Sequence, residues 1–362
     1  MSGSKWQQLG VLDPADPDAA GRLELLEWIS AQGISDDDIV AAAAADQLTS
    51  VVGDRALRPG ARMTLDEASV AVGIPIDDLA SLQRAIGTPH VDGRSYITEG
   101  DLPMFRIFAE ARALFSEEEL THFSRVVGTS MRRIAEAASE MFLRDVEAPI
   151  YSGEGGGRLD VAKANLFGVE LARQATSIFD PIFRVHLERS TQDVRRALVG
   201  SSGYATVPLT VGFVDLNGFT SRSAAMEPHE LLDLVMAFEA ASIDLVAEHG
   251  GRLIKLIGDE VMFTAVESGE ACAIADGLVR HADRLAGGGR AGLAHGPVIA
   301  SGGDVYGETV NLAARIVDVA VPGEILVNEA VVGRVDGPRF EAAGRRQLKG
   351  FAEPVRLWSL EP

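Results

Sequence analysis

Two periodicities divide this chain. Up to about residue 199 the apolar positions recur at helical spacing. Leu23, Leu26 and Trp28-Ile29 mark an amphipathic helix over 19–32, closed by Gly33. A second short helix over 36–48 opens on acids, which suits the helix dipole. Further apolar faces follow: Leu102, Phe105 and Phe108, then Val126, Ile134 and Phe142, then Leu166, Val169, Phe179, Ile182 and Phe183. The last stripe predicts a helix over 161–199, with Pro181 as a kink or a fresh start. It leaves open whether that helix passes a signal or simply packs. Residues 1–18, polar with Pro14 and Pro17, read as a loose lead-in.

After the small-residue stretch Gly200-Ser201-Ser202-Gly203 the period shortens to that of strands. The predicted order is strand 209–216, helix 229–249, strand 253–257, strand 261–266, helix 270–285, strand 291–299. This βαββαβ order is a ferredoxin-like arrangement. A further helix over 309–319 and short C-terminal strands complete it. The chain thus reads as an all-α domain over 1–200 followed by an α/β (α+β) domain over 205–362.

Composition narrows the function. Apolar residues make up 46% and charged residues 24% of 362, an ordinary globular balance. A formal net charge of -20 argues against binding nucleic acid or an anionic membrane nonspecifically. Cys272 stands alone, so no internal disulfide forms, in keeping with a reducing cytoplasm. No apolar run approaches the roughly 18 residues a membrane span needs, and no signal peptide is evident. Residues 63–87 have the outline of a helix-turn-helix, with a Thr64/Glu67 capping box and a Gly73-Ile74-Pro75 turn. Its second helix opens on Asp77-Asp78 and carries only Arg84, the wrong sign for phosphates.

The chemistry concentrates in the second half. Strand 209–216 ends in Asp215, and Gly258-Asp259 joins two strands. If those strands are neighbours, the two carboxylates sit side by side and repel unless a divalent cation lies between them. Such a pair suits Mg²⁺ chemistry on a phosphate-bearing substrate.

The segments Phe213 to Thr220, Lys255 to Asp259, Gly303 to Arg315 and Leu348-Lys349-Gly350, in this order, resemble the class III nucleotide cyclases over residues 205–362. The resemblance implies that Asp215 and Asp259, with the carbonyl of Leu216, hold two Mg²⁺ or Mn²⁺ ions. It implies that backbone amides through Phe219 and Thr220 face the triphosphate. Lys255 and Asp304 resemble the purine-reading pair, in a combination that implies ATP rather than GTP. Asn311 orients the ribose, Arg315 stabilises charge on the transferring phosphate and Lys349 contacts the outer phosphates, by the same resemblance. Because one subunit supplies the aspartates and its partner the other groups, a head-to-tail homodimer is implied. The first half is similar to the helical regulatory domain of some soluble bacterial adenylate cyclases, which implies control by pH or a small-molecule or lipid effector. His186, on the helix around 179–186, is a candidate for the pH response. The alternatives are a catalytically silent cyclase-fold module that binds nucleotide or a partner, and a DNA-binding regulator using residues 63–87.

Overall fold

The computed structural model describes residues 2–88, 97–152, 157–197, 206–219, 223–337 and 340–361. The chain divides into two compact units, Met1–Arg184 and Val185–Pro362. The Gly200–Gly203 boundary expected from the sequence, and residues 153–156 of the glycine run, lie outside the described residues.

The first unit is helical. It comprises α1 (Ser2–Gln8), α2 (Ala19–Ala31), α3 (Asp36–Ala44), α4 (Val51–Leu57), α5 (Leu65–Val72), α6 (Ile76–Ala85), α7 (Leu102–Ala111), α8 (Glu117–Phe142) and α9 (Ala148–Ser152). A long α10 (Arg158–Ala197) runs through the division into the second unit. A two-stranded ribbon pairs β1 (Arg62–Met63) with β2 (Ile97–Thr98). Ser35 and Ser116 cap α3 and α8 by accepting from the amides of Asp38 and Glu119.

Two sequence expectations need correction here. Residues 2–8 are helical rather than loose, because Trp6 is an anchor: it is 2% exposed and packs with Leu25, Leu26 and Ile29. Pro181 starts no new helix, since α10 is continuous through it. The 63–87 segment is a helical pair with the expected Thr64/Glu67 capping box and a left-handed Gly73. Asp78 of its second helix is already paired with Arg112 at 2.6 Å. Leu79 and Ala68 are fully buried, so the pair serves a core.

The second unit is built on one twisted sheet. Its elements after α10 are β3 (Val207–Leu216), α11 (Pro228–Glu248), β4 (Arg252–Ile257), β5 (Glu260–Ala265), α12 (Ser268–Ala286), β6 (Gly289–Ser301), β7 (Asp304–Tyr306), α13 (Glu308–Val319), β8 (Ile325–Asn328), α14 (Glu329–Val332), β9 (Phe340–Arg346) and β10 (Val355–Leu360). The strand order is β4-β5-β3-β6-β8-β10-β9, with β7 paired to β6. The first four strands and two helices form the expected βαββαβ unit, β3 lying centrally and antiparallel to both β5 and β6.

Alternation along β3 sorts the core into two faces. Val214 and Leu216 join Val261, Phe263, Leu234, Phe238 and Leu278 on the side of α11 and α12. Val211 and Phe213 join Met262, Ala313, Ile316 and Val317 on the side of α13. Asp215 therefore shares the α13 face. Gly292 of β6 permits that approach: a methyl group there would meet the backbone of Val317 and Ala313.

Candidate active site

Asp215 occupies the penultimate position of β3, directly opposite Glu260 on β5 and Arg290 on β6. Residues directly opposite share a face, so all three converge. Arg290 donates to Asp215 Oδ2 from Nε at 2.9 Å and from Nη2 at 2.6 Å. It also donates from Nη1 to the carbonyls of Asp318 and Ala320 at 3.4 Å, at the C-terminal end of α13.

The β4–β5 hairpin delivers the second carboxylate. Ile257 pairs with Glu260, leaving a two-residue turn, Gly258-Asp259. Gly258 has φ +66° at the first turn position, a conformation that favours glycine there and that a II′ turn demands. Leu216 N donates to the Asp259 carbonyl at 3.3 Å, which ties the end of β3 to this turn. The two aspartates are thus neighbours, close enough for their side chains to hydrogen-bond. Burial, together with the charge and hydrogen bond of Asp215, raises the Asp259 pKa. Burial and the surrounding Asp215, Asp318 and Asp259 charges raise Glu260 to about 7.

Among the described residues no cluster of three or more His, Cys, Asp or Glu side chains makes a metal cage. The donors expected from the sequence, the Asp215 and Asp259 carboxylates and the Leu216 carbonyl, are all hard oxygens, and in this structure Arg290 occupies Asp215 Oδ2. That set fits Mg²⁺ or Mn²⁺, which keep waters and take further ligands from substrate phosphates. The charge of Asp215 disfavours ionisation of Asp259 and that of Arg290 favours it, the kind of balance a nearby cation would shift.

Lys255 of β4 and Asp304 of β7, 49 residues apart, meet at 2.6 Å. Although burial opposes it, the hydrogen bond from Lys255, a second from the Val305 amide and the lysine charge leave the Asp304 pKa lowered. A separate cleft of about 640 Å³ is lined by Gly307, Glu308, Asn311, Arg315, Lys349 and Gly350, with Phe351 and Ala352. Asn311 and Arg315 reach it from one face of α13, and Arg315 is held by Asp318 at 2.7 Å. Three of the sequence-selected residues thus share one cleft. Among the described residues, no direct hydrogen bond or ion pair joins the Asp215–Asp259 corner to Asn311, Arg315 or Lys349; Arg290 links them at one remove, bonding both Asp215 and the carbonyl of Asp318, the residue that holds Arg315.

The Phe219 ring is partly buried against the α11/α12 core. Thr220 lies outside the described residues. Sequence reasoning missed Arg290 and Glu260. Both are revealed by strand register, and the only signal in the chain was their place at the edge of the predicted strands.

The model of the adenylate cyclase regulatory domain matches residues 7–190, about half of the chain. The model of the adenylate and guanylate cyclase catalytic domain matches residues 288–361, which include Asp304, Asn311, Arg315 and Lys349. The adenylate cyclase of Streptomyces coelicolor is 33% identical, over 83% of this chain and 81% of its own length. An uncharacterised protein of Mycobacterium tuberculosis is 32% identical over 97% of this chain and 92% of its own. A pH-sensitive adenylate cyclase of the same species is 28% identical over 94% of this chain and 87% of its own. The solved adenylyl cyclase CyaB of P. aeruginosa is similar at 23% identity over 43% of this chain and 94% of that one, with a TM-score of 0.41. The chain belongs to the adenylate cyclase family, carrying that family's regulatory domain ahead of a class III cyclase catalytic domain.

Proposed function

We propose that the protein converts ATP to 3′,5′-cyclic AMP and pyrophosphate at sites shared between two copies of the chain. The observation that carries this reading is the Asp215–Asp259 corner, where a two-residue turn seats one acid beside the other. Asp215 and Asp259, with the Leu216 carbonyl, would hold two Mg²⁺ or Mn²⁺ ions, whose chemistry there would be to acidify the ribose 3′-hydroxyl and neutralise the leaving pyrophosphate.

The chain's own groups do the rest. Lys255 donates to a ring nitrogen of adenine and Asp304 accepts from its exocyclic amine. Guanine presents the opposite pattern, leaving both groups unpaired. Backbone amides near Phe219 and Thr220, with Lys349, hold the triphosphate. Asn311 orients the ribose so that O3′ faces the α-phosphorus. As the O3′–P bond forms and the bond to the bridging oxygen breaks, Arg315 stabilises the charge on the phosphoryl oxygens. To do so, its guanidinium shares or exchanges the Asp318 carboxylate that now holds it.

A dimer is supported by the placing of Asn311, Arg315 and Lys349 in a cleft that Asp215 and Asp259 do not line. It is supported too by Ile257, Ile299 and Tyr306, apolar side chains left about half exposed beside Lys255 and Asp304. The regulatory domain sets the output in response to pH or a lipid or small-molecule effector, and His186 on α10 is a candidate contributor. No helix among the described residues is long and apolar enough to cross a membrane, and the lone, buried Cys272 suits a cytoplasmic setting.

Product analysis with ATP, GTP and metal tests the reaction. Asp259→Ala is expected to lower kcat by at least about a thousandfold. Mixing folded Asp259→Ala with folded Arg315→Ala subunits is expected to restore part of the activity, because a mixed dimer keeps one intact site. Cyclic GMP as main product, or full activity in Asp259→Ala, overturns the reading.

A further inference from the structure

The structure assigns to Arg252 the role of a positioning residue for base recognition. It holds the glycine turn that carries Asp304, so that Asp304 faces Lys255. This rests on the adenine-reading role proposed above for that pair.

The argument starts in β4. Residues 252 and 255 are an odd number of positions apart, so in an unbroken strand they project from opposite faces. Here the register shifts: Leu253 pairs with Phe263, whereas Lys255 pairs with Met262. Ile254 is the extra residue of a β-bulge, a device that re-aims side chains. Arg252 is opposite Thr264 and Lys255 opposite Met262, two positions apart on β5. The bulge therefore places both cations on one face.

Both then reach the same target. Arg252 Nη2 donates to the Gly303 carbonyl at 2.5 Å, and Lys255 Nζ donates to Asp304 Oδ2 at 2.6 Å. The target is a tight turn. Ser301 pairs with Asp304, and between them stand Gly302 and Gly303 with φ of +61° and +86°. A Gly-Gly turn meets the left-handed requirement at both positions but is the costliest pair of residues to order. Asp304 follows directly on the loosest segment of its strand pair, its carboxylate steadied within its own strand by the Val305 amide at Oδ1 and by the Tyr306 side chain. The Arg252 bond fixes the turn from the strand that bears Lys255. Donor and acceptor for the base are thereby set at one spacing before substrate arrives, which is what discrimination between purines requires.

The test is steady-state kinetics of the full chain with ATP and GTP. Arg252→Ala is expected to raise KM for ATP about tenfold and to shrink the ATP-over-GTP preference in kcat/KM by a similar factor, with kcat within about twofold. Arg252→Lys, which keeps a cationic donor, is expected to recover part of both. Lys255→Ala and Asp304→Ala run in parallel separate the two layers. If they abolish ATP preference while Arg252→Ala leaves KM and preference unchanged, the inference about Arg252 is wrong and the base-reading pair stands. If neither Lys255→Ala nor Asp304→Ala alters preference, the base-reading role itself fails, and this inference with it. A fall in kcat that tracks a lower Tm, equal in Arg252→Ala and Arg252→Lys, assigns Arg252 a merely structural bond and also overturns the proposal.

Discussion

His295 sits away from the substrate groups yet is poorly placed to carry charge. Its Nδ1 lies 3.0 Å from Thr210 Oγ1, which in turn meets Ser268 Oγ at 2.8 Å. Its amide donates to Asn328 Oδ1 at 3.2 Å. Burial, then the charge of Arg334, lowers its pKa to about 4. Because the folded value is below the unfolded one, the neutral ring's contribution is intact above about pH 6.5 and is lost as pH falls toward and through 4. Thermal melts are expected to show Tm dropping across that window, and His295→Asn is expected to flatten the drop; an unchanged slope refutes it. At this scale the sequence was informative where chemistry was local. Asp215 near the end of its strand, Lys255 within one and Asp259 in the turn beside Gly258 landed where the expected strands put them, whereas the short strand that carries Asp304 was not foreseen. Arg290 was illegible, because its bond to Asp215 crosses 75 residues and depends on a register no residue spacing reveals. The Arg252 clasp was hidden for a related reason: a bulge leaves no compositional mark.

Elements place the residues, and α13 shows how tightly. Asn311 and Arg315 ride on a helix pressed against β6 at Gly292, where an added Cβ would strike the Val317 and Ala313 backbone. Gly292→Ala is expected to destabilise the catalytic unit by about 1–3 kcal/mol. It should also lower kcat more than it raises KM, since the helix shifts rather than dissolves. Urea unfolding and kinetics check both, and a neutral substitution would show that the helix has slack. Periodicity made β3 to β6, their two helices and α13 readable to within a few residues, whereas β7 and α14 were not foreseen and the C-terminal strands were expected without bounds. It failed at α1, where seven polar-looking residues hide one tryptophan that docks into the first core. It was also misleading at Pro181, where neighbouring turns outweigh the lost hydrogen bond and α10 continues.

For the whole molecule, the proposed function calls for a second copy of the chain and a cation at the acid corner. Magnesium or manganese is expected to raise Tm in the intact protein through mass action and to do so much less in Asp215→Asn or Asp259→Asn. An equal rise in all three would place the ions elsewhere. Family and domain order were legible because the motifs follow one another along the chain. How the regulatory half acts was not, because its helices carry core patterning without a chemical motif. The Gly258-Asp259 connection has a last consequence. Two residues is about the least a hairpin can use. One codon gained or lost there would slip β5 past β4 by a step, turning Val261 and Phe263 out of their core and Met262 into it. Drift in this gene can therefore tolerate a changed letter at that corner more readily than a changed length.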